Sequence, residues 1–194
     1  MLNRIYFFSA IFFVVLIWSC DSASVPKPRG YFRIDFPEKE YRVFDSIYPF
    51  TFRYPVYGKV NPESNRGQDG GQWLNVDFPQ YKARIHLSYK DVSGNLNAMM
   101  EDARSLAYKH TVKADAIDER IFSNSEKKVY GVLYDIRGNS ASSIQFFLTD
   151  SSKHYIRGAL YFRVEPNKDS LAPAVDFFTK DVVAFIESFE WKIK

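Results

Sequence analysis

Residues 129–164 read VYGVLYDIRGNSASSIQFFLTDSSKHYIRGALYFRV, three apolar segments separated by two polar ones. The segments are rich in the β-branched and aromatic residues that are typical of strands, and they lie at 129–137, 143–150 and 154–164. Gly138-Asn139 and the run from Asp150 to Lys153 have the composition of turns. The stretch therefore predicts a meander of antiparallel strands, and this meander decides the class of the fold.

Further strands and two helices are predicted outside this meander. The strands fall at 31–36, 41–45, 50–54, 73–78, 84–89, 116–122 and 190–193, and a polar loop at 61–72. Apolar residues recur at helical spacing from Leu96 to His110, with Asn95 as N-cap, and from Leu171 to Phe189, with Ser170 as cap. This order does not alternate as βαβ, so it predicts an α+β fold, a predominantly antiparallel β-sheet with two principal packing helices. The order is also similar to the Mog1/PsbP-like sandwich, a likeness of fold that carries no function.

The amino-terminal segment predicts export and lipidation. Residues 5–18 form a mostly apolar run of 14 residues behind Arg4, whereas a membrane-spanning helix needs about 20. The run ends at Ile17-Trp18-Ser19-Cys20, which resembles the lipobox of bacterial lipoproteins. That resemblance implies cleavage before Cys20 and a covalent lipid on Cys20; the alternative is an unmodified Cys20 in an uncleaved signal anchor. The predicted organisation is a signal peptide at 1–19, a lipid anchor and tether at 20–30, and one globular domain at 31–194.

Composition narrows the classes of partner. The chain has 194 residues with 26 Lys and Arg against 23 Asp and Glu, and the charges of both signs intermingle. Nucleic-acid binders usually gather basic residues on one face, so this distribution argues against nucleic acid. The chain has one cysteine, which excludes an intramolecular disulfide.

Catalytic and metal-binding motifs are not apparent in the sequence. His86, His110 and His154 lack the spacing of metal ligands, so His86 is interpreted as a solvated strand residue and His110 as a favourable charge at a helix end. Glu101 and Asp102 are adjacent on a helix and point about 100° apart, which prevents them from facing one substrate. The segment Asp69-Gly70-Gly71 lacks the further oxygen ligands of a calcium site. We therefore expect no metal, no cofactor other than the lipid, and no enzymatic activity.

A candidate interaction surface is predicted from two polar segments. The loop Gly138-Asn139-Ser140-Ala141-Ser142-Ser143 lacks the GxSxG pattern of a nucleophile elbow, but it offers a dense set of hydrogen-bond donors and acceptors. The other segment is the end of the first predicted helix. The candidate residues are Lys109, His110, Asn139, Ser140, Ser142 and Ser143.

Long segments of the chain resemble one known family. They read PKPRGYFRIDFP from Pro26, YPFTFRYPVYGKV from Tyr48, WLNVDFP from Trp73, EDARSLAYKHTVKADAI from Glu101, most of 129–164, EPNKDSLAP from Glu165, and the terminal FEWK. By these segments the chain is similar to the GldD family of gliding motility lipoproteins of Bacteroidetes. The resemblance implies a component that is needed for gliding motility and the associated type IX secretion system, beside other envelope proteins such as GldE. It carries over no catalytic residue, and the lipid-anchor cysteine corresponds to Cys20.

The function expected from these observations is a non-enzymatic interaction or assembly component of the cell envelope. The alternatives are a glycan- or lipid-binding envelope lipoprotein, which the aromatic content of 18% favours, and an enzyme. The expected location is the periplasmic face of the inner membrane, with the outer membrane as the alternative.

Overall fold

A computed structural model of the chain describes residues 33–63 and 71–192, which contain ten strands, two α-helices and two short 3-10 turns. The strands are β1 (Tyr41–Phe44), β2 (Phe50–Pro55), β3 (Lys59–Pro62), β4 (Gln72–Phe78), β5 (Ala83–Asp91), β6 (Ala114–Asn124), β7 (Val129–Gly138), β8 (Ser142–Thr149), β9 (His154–Phe162) and β10 (Glu190–Trp191). The helices are α1 (Leu96–Tyr108) and α2 (Lys168–Ser188). The predicted signal peptide, the tether and Cys20 lie outside the described residues.

The strands form two antiparallel sheets. The large sheet has seven strands in the order β3-β4-β5-β9-β8-β7-β6, and the small sheet has three in the order β1-β2-β10. The predicted meander is present as β7, β8 and β9, which are neighbours in the large sheet. The predicted α+β class, with mostly antiparallel strands and two helices, is therefore confirmed. The likeness to a Mog1/PsbP-like sandwich stays a prediction.

The two faces of the large sheet differ in what covers them. One face, here called the α2 face, packs large apolar side chains such as Leu87, Phe146 and Leu160 against helix α2. Alternate strand residues point to the opposite face, here called the α1 face. There Tyr134, Ile136, Phe147 and Tyr155 pack against the small residues Ala103 and Ala107 of α1. This apolar cluster draws on β7, β8 and the first residues of β9.

The core is largely aromatic, and helix α2 supplies much of it. The ring of Phe178 lies 4.7 Å from the ring of Phe78 in the large sheet. About two turns further along α2, the ring of Phe185 lies 4.4 Å from the ring of Phe52 in the small sheet and 5.4 Å from that of Phe146 in the large one. Burial of one such side chain stabilises a fold by about 1.5–3 kcal/mol. Helix α2 thereby packs against both sheets.

One glycine is required by this packing. A Cβ atom at Gly158 would lie 2.2 Å from Cζ of Phe146 on the neighbouring strand. The absence of a side chain at Gly158 therefore lets the Phe146 ring cross β9 and reach α2.

Two predicted strand boundaries are wrong. Residues 33–36 of the predicted strand at 31–36 have no regular secondary structure; Phe36 instead stacks on Phe177 of α2, with 4.2 Å between ring centroids. The predicted loop at 61–72 begins too early, because Asn61 and Pro62 belong to β3, which pairs with β4. The short, polar β3 has too few apolar residues for its pairing to be visible in the sequence.

One predicted helix cap is in its predicted position and the other needs correction. Helix α2 begins at Lys168, and its N-cap is Asn167, whose Oδ1 accepts a hydrogen bond from the Ser170 N–H at 3.1 Å. Asn95 is the N-cap residue of α1, as predicted, but its Oδ1 accepts a hydrogen bond from the Ser93 N–H at 3.0 Å and not from the helix. Local side-chain to backbone bonds of this kind compete with capping.

The segment before β1 is fixed to α2 by a buried carboxylate. Asp181, which is 1% exposed, accepts hydrogen bonds from Lys39 Nζ at 2.8 Å, Tyr41 Oη at 2.9 Å and Tyr57 Oη at 2.7 Å. Nζ of Lys39 also lies 3.1 Å from the centroid of the Phe177 ring. Burial lowers the pKa of Lys39 although the Asp181 carboxylate acts to raise it. Burial, with the Asp181 hydrogen bonds, raises the pKa of both tyrosines, which keeps their hydroxyl groups protonated as donors.

We predict that replacing Asp181 alone is far more damaging than replacing its ion pair. Asp181→Leu leaves the half-buried Lys39 ammonium group and the hydroxyl groups of Tyr41 and Tyr57 without their common acceptor, which should lower the free energy of unfolding by about 3 kcal/mol. The double variant Lys39→Met/Asp181→Leu removes both charges and should regain part of that loss. Urea unfolding measures the difference. Equal losses in the single and double variants would contradict this account of the cluster.

Candidate functional site

The two segments of the predicted interaction surface meet around Lys113. Helix α1 continues into a 3-10 turn at Lys109–Val112. The Lys113 N–H donates to the His110 carbonyl at 2.9 Å, and the Lys113 carbonyl accepts from the Asn139 N–H at 3.0 Å. The turn after α1 is therefore joined by backbone hydrogen bonds to the turn between β7 and β8.

The amino terminus of α2 joins the same place. Oδ1 of Asn139 accepts from the Lys168 N–H at 2.8 Å, and Nζ of Lys168 lies 2.8 Å from Oδ2 of Asp115 on β6. Val112, at the end of the turn, is 89% exposed. We call this place the Lys113 surface, formed by Lys109, His110, Val112, Lys113, Asp115, Asn139 and Lys168. It carries three lysines and one carboxylate, so it is basic with an exposed apolar residue among its charges.

Two of the predicted serines are not on this surface. Ser140 and Ser142 are buried. Oγ of Ser140 donates to the Ser142 carbonyl at 2.8 Å, and Oγ of Ser142 donates to the Leu160 carbonyl at 3.0 Å. The pairing of β8 with β9 shifts its register between Ser142 and Ile144, which leaves Ser143 half-buried at the irregularity. The two buried hydroxyl groups therefore satisfy backbone carbonyls at a bulge and are not available to a partner.

A row of polar side chains crosses the α1 face of the large sheet. Each strand contributes one member, and each member lies directly opposite the next on the neighbouring strand. From β3 at one edge to β6 at the other, the members are Asn61, Asn75, His86, Ala159, Gln145, Tyr134 and Glu119. Ala159 is the small residue at its centre. We call these residues the polar row. The sequence could not reveal it, because its members come from all seven strands and only the sheet order aligns them.

The side chains around Ala159 are held by hydrogen bonds within the row and beside it. Nδ1 of His86 lies 2.7 Å from Oδ1 of Asn75, so Nδ1 is assigned the proton. Arg157, next to the row on β9, donates to Oε1 of Gln145 at 2.5 Å. Asn75 and Gln145 are 5% and 2% exposed, although both are polar. The Trp73 ring lies edge-on to His86 at 5.8 Å. Indole, imidazole, amide and guanidinium groups therefore share one patch.

Comparison with protein-family models identifies the family of the chain. The model described as "Gliding motility lipoprotein GldD" matches residues 21–191. The chain belongs to the GldD family. A search of curated proteins finds no match. The family is one of lipoproteins in gliding motility, so this GldD-family chain is a membrane-anchored protein of the cell envelope. None of the helices in the described residues is long and apolar enough to cross a bilayer.

The third histidine of this GldD-family chain ends a short hydrogen-bonded chain. Nδ1 of His154 lies 2.7 Å from Oη of Tyr89, whose hydroxyl group donates to Oδ1 of Asp91 at 2.6 Å. The His154 ring also stacks on Trp191, with 5.2 Å between ring centroids. Burial and the Asp91 hydrogen bond raise the pKa of Tyr89, which holds this phenol neutral at physiological pH.

Metal binding finds no support among the residues that the structure describes. Within 33–63 and 71–192, no three His, Cys, Asp or Glu side chains lie close enough to hold a metal ion. Glu101 and Asp102 are exposed on α1, and Asp69 lies outside the described residues. The described side-chain hydrogen-bond partners of the histidines are an amide, at His86, and a phenol, at His154.

The electrostatic environment of two histidines differs from the prediction. His86 is half-buried rather than solvated, and burial lowers its pKa while Glu63 raises it and Arg84 and Arg157 lower it. Burial also lowers the pKa of His110, and Arg157 adds to this effect. The predicted stabilisation of a protonated His110 at the helix end is therefore outweighed. The positive charge of Arg157 thus lowers the pKa of both imidazoles.

We predict that these two histidines make the fold acid-sensitive. Their pKa values are lower in the folded than in the unfolded chain, so below about pH 6.5 the unfolded chain binds more protons and the free energy of unfolding falls as the pH falls. Urea unfolding at pH 7, 6 and 5 should show a shallower fall for His86→Gln than for the wild type. His110→Gln should have a similar effect, and the double variant should have the shallowest slope. Identical slopes in the wild type and the double variant would refute this origin of acid sensitivity.

Proposed function

We propose that this GldD-family chain is a non-enzymatic interaction or assembly component of the gliding motility machinery and of the associated type IX secretion system. Its partners are membrane lipid, through an anchor on Cys20, and other gliding and secretion proteins of the envelope, GldE among them. It works at the periplasmic face of the inner membrane and binds no nucleic acid. The observation that supports the proposal best is the Lys113 surface.

Several features of the Lys113 surface suit it to protein recognition. The turn after α1 and the β7–β8 turn are joined by a backbone hydrogen bond, the Asn139 side chain binds the first N–H of α2, and Lys168 pairs with Asp115 on β6. The surface is therefore preorganised, and little ordering is needed on binding. Val112 offers exposed apolar area, and Lys109 and Lys113 are exposed close by. A partner patch with acidic residues around an apolar contact would complement it in charge.

We predict that charge reversal on this surface separates binding from folding. Lys109→Glu/Lys113→Glu should reduce the yield of crosslinks to envelope proteins in intact cells by about tenfold, because like charges would oppose an acidic partner. Thermal unfolding should change only slightly, since both side chains are exposed and a carboxylate at the end of α1 costs about 0.3–1 kcal/mol. Gliding of colonies should decrease in parallel.

The matched control is Lys153→Glu, which reverses an exposed lysine in the turn at the opposite end of β8. This variant should keep both the crosslinks and gliding. Unchanged crosslinks and gliding in Lys109→Glu/Lys113→Glu would remove the Lys113 surface from the proposal.

The anchor is tested separately at Cys20. A single acyl chain binds membranes only marginally, whereas two or more give stable attachment. We predict that Cys20→Ser yields an unprocessed precursor that does not incorporate radiolabelled palmitate, while the wild type does. A labelled, processed Cys20→Ser protein would overturn the assignment of the lipid to Cys20.

The alternative function is that of a glycan- or lipid-binding envelope lipoprotein, and the polar row favours it. The patch of Trp73, His86 and Arg157, whose guanidinium group is held by the buried Gln145, combines aromatic rings with hydrogen-bond donors, a composition suited to hydroxyl-rich ligands. A thermal-shift screen with envelope glycans and lipids separates the two functions. A shift that is lost in Arg157→Ala would favour the ligand-binding function over the assembly function.

A further inference from the structure

Strand β6 forms one edge of the large sheet. It is 11 residues long, and in the described part of the chain it pairs with β7 alone. The N–H and C=O groups on its other side therefore have no strand partner there. Such an edge is a template for pairing with another strand.

Two common protections against edge pairing are missing from β6. The strand is long, and it contains neither proline nor glycine. Its apolar residue Ile121, which lies on the α1 face opposite Val132, is 79% exposed. The remaining protections are an irregularity of pairing between Ala114 and Ala116, at the first residues of the strand, and charge, from Asp115, Asp118, Glu119 and Arg120. Whether these charges repel a second strand depends on the register in which it pairs.

We propose that β6 pairs with β6 of a second copy of this chain, antiparallel and about a two-fold axis at Glu119. An axis perpendicular to the sheet keeps the α1 faces of both copies on the same side. Asp118 then lies opposite Arg120 of the second copy, and this pair occurs twice. Ile117 lies opposite Ile121 of the second copy, also twice, which would cover the exposed Ile121. Opposite charges and apolar pairs directly across two strands are both stabilising.

The like charges at the axis are compensated within each copy. Glu119 would face its own equivalent, which is unfavourable for two carboxylates directly opposite each other. However, Oε1 of Glu119 accepts a hydrogen bond from Oη of Tyr108 at 2.9 Å and lies 3.6 Å from Nε of Arg104. Both partners belong to α1, so each carboxylate is directed back towards its own helix.

Neighbouring registers lack this complementarity. With the two-fold axis at Asp118, the Asp118 carboxylates of the two copies would face each other, and Ile117 of one copy would face Glu119 of the other. A centre at Arg120 opposes two guanidinium groups and places Glu119 against Ile121. With the axis at Ile117, the carboxylates of Asp115 and Glu119 from different copies would face each other. With the axis at Ile121, no ion pair would form between the copies. The charge pattern of β6 therefore selects the centre at Glu119.

The register can be tested by disulfide crosslinking. At the proposed axis the two Cα atoms of residue 119 would lie about 4.5–5.5 Å apart, within the range of about 4.4–6.8 Å that a disulfide requires. Full-length Glu119→Cys in native membranes, treated with a mild oxidant, should give a disulfide-linked dimer on a non-reducing gel. The matched control is Ser123→Cys, an exposed residue on the same face of the same strand. Its equivalent would lie about 27 Å away along the strands, so it should give no dimer.

A charge swap tests the ion pair that the proposed register requires, and the yield of the disulfide-linked dimer is again the measurement. In the Glu119→Cys background, Asp118→Arg opposes two arginines and should reduce the dimer yield several-fold. Adding Arg120→Asp restores opposite charges and should restore the yield. The wild type, with Cys20 as its single cysteine, gives the background of the assay.

Three results would overturn the proposal. Equal dimer yields for Glu119→Cys and Ser123→Cys would indicate random collision. A monomer for Glu119→Cys, together with a monomeric wild type in detergent solution, would exclude self-pairing. A disulfide between Glu119→Cys and a different protein would show that the edge serves another partner.

Discussion

Helix α2 packs between two sheets, and the rest of the described structure depends on this one contact. Phe178 touches the large sheet at Phe78, while Phe185 touches the small sheet at Phe52 and the large sheet at Phe146. The same helix carries Asp181, which holds Lys39 and the segment before β1. Because a carboxylate buried without partners is costly, the aromatic packing of α2 is compatible with Asp181 only when that segment is in place. The hydrophobic core and the position of the amino-terminal segment are therefore determined together.

The surfaces available for function are those that the helices leave free. Helix α2 covers its face of the large sheet, whereas α1 covers the opposite face only over the cluster of Tyr134, Phe147 and Tyr155. The remainder of the α1 face carries the polar row, the end of α1 leads into the Lys113 surface, and β6 forms the open edge. Small buried alanines in α1 allow it to lie close to the sheet without extending over it. The limited cover by α1 thus explains why all three candidate surfaces border the same helix.

The sequence predicted the elements better than it predicted their environment. The meander and both helices could be read from periodicity, because strand and helix patterns are local and repeat over many residues. The structure of residues 33–36 and the pairing of β3 could not, because Phe36 is placed by Phe177, a residue far along the chain, and β3 by pairing with β4. The serines after Asn139 were misread for a similar reason. A polar turn and a polar bulge have the same composition, and only the pairing with β9 buries Ser142.

The histidines show that the order of strands in a sheet can bring charged groups together that are far apart in the sequence. His86 and His110 belong to different elements and have no common motif. The charge of Arg157 nevertheless lowers the pKa of both, and for His86 the reason is that β5 and β9 are neighbours in the sheet. A positive guanidinium group and burial act in the same direction, since each favours the neutral imidazole. Protonation of either histidine would place a second positive charge near Arg157, which is unfavourable. Acid therefore acts in the same direction on two elements that no motif in the sequence relates to each other.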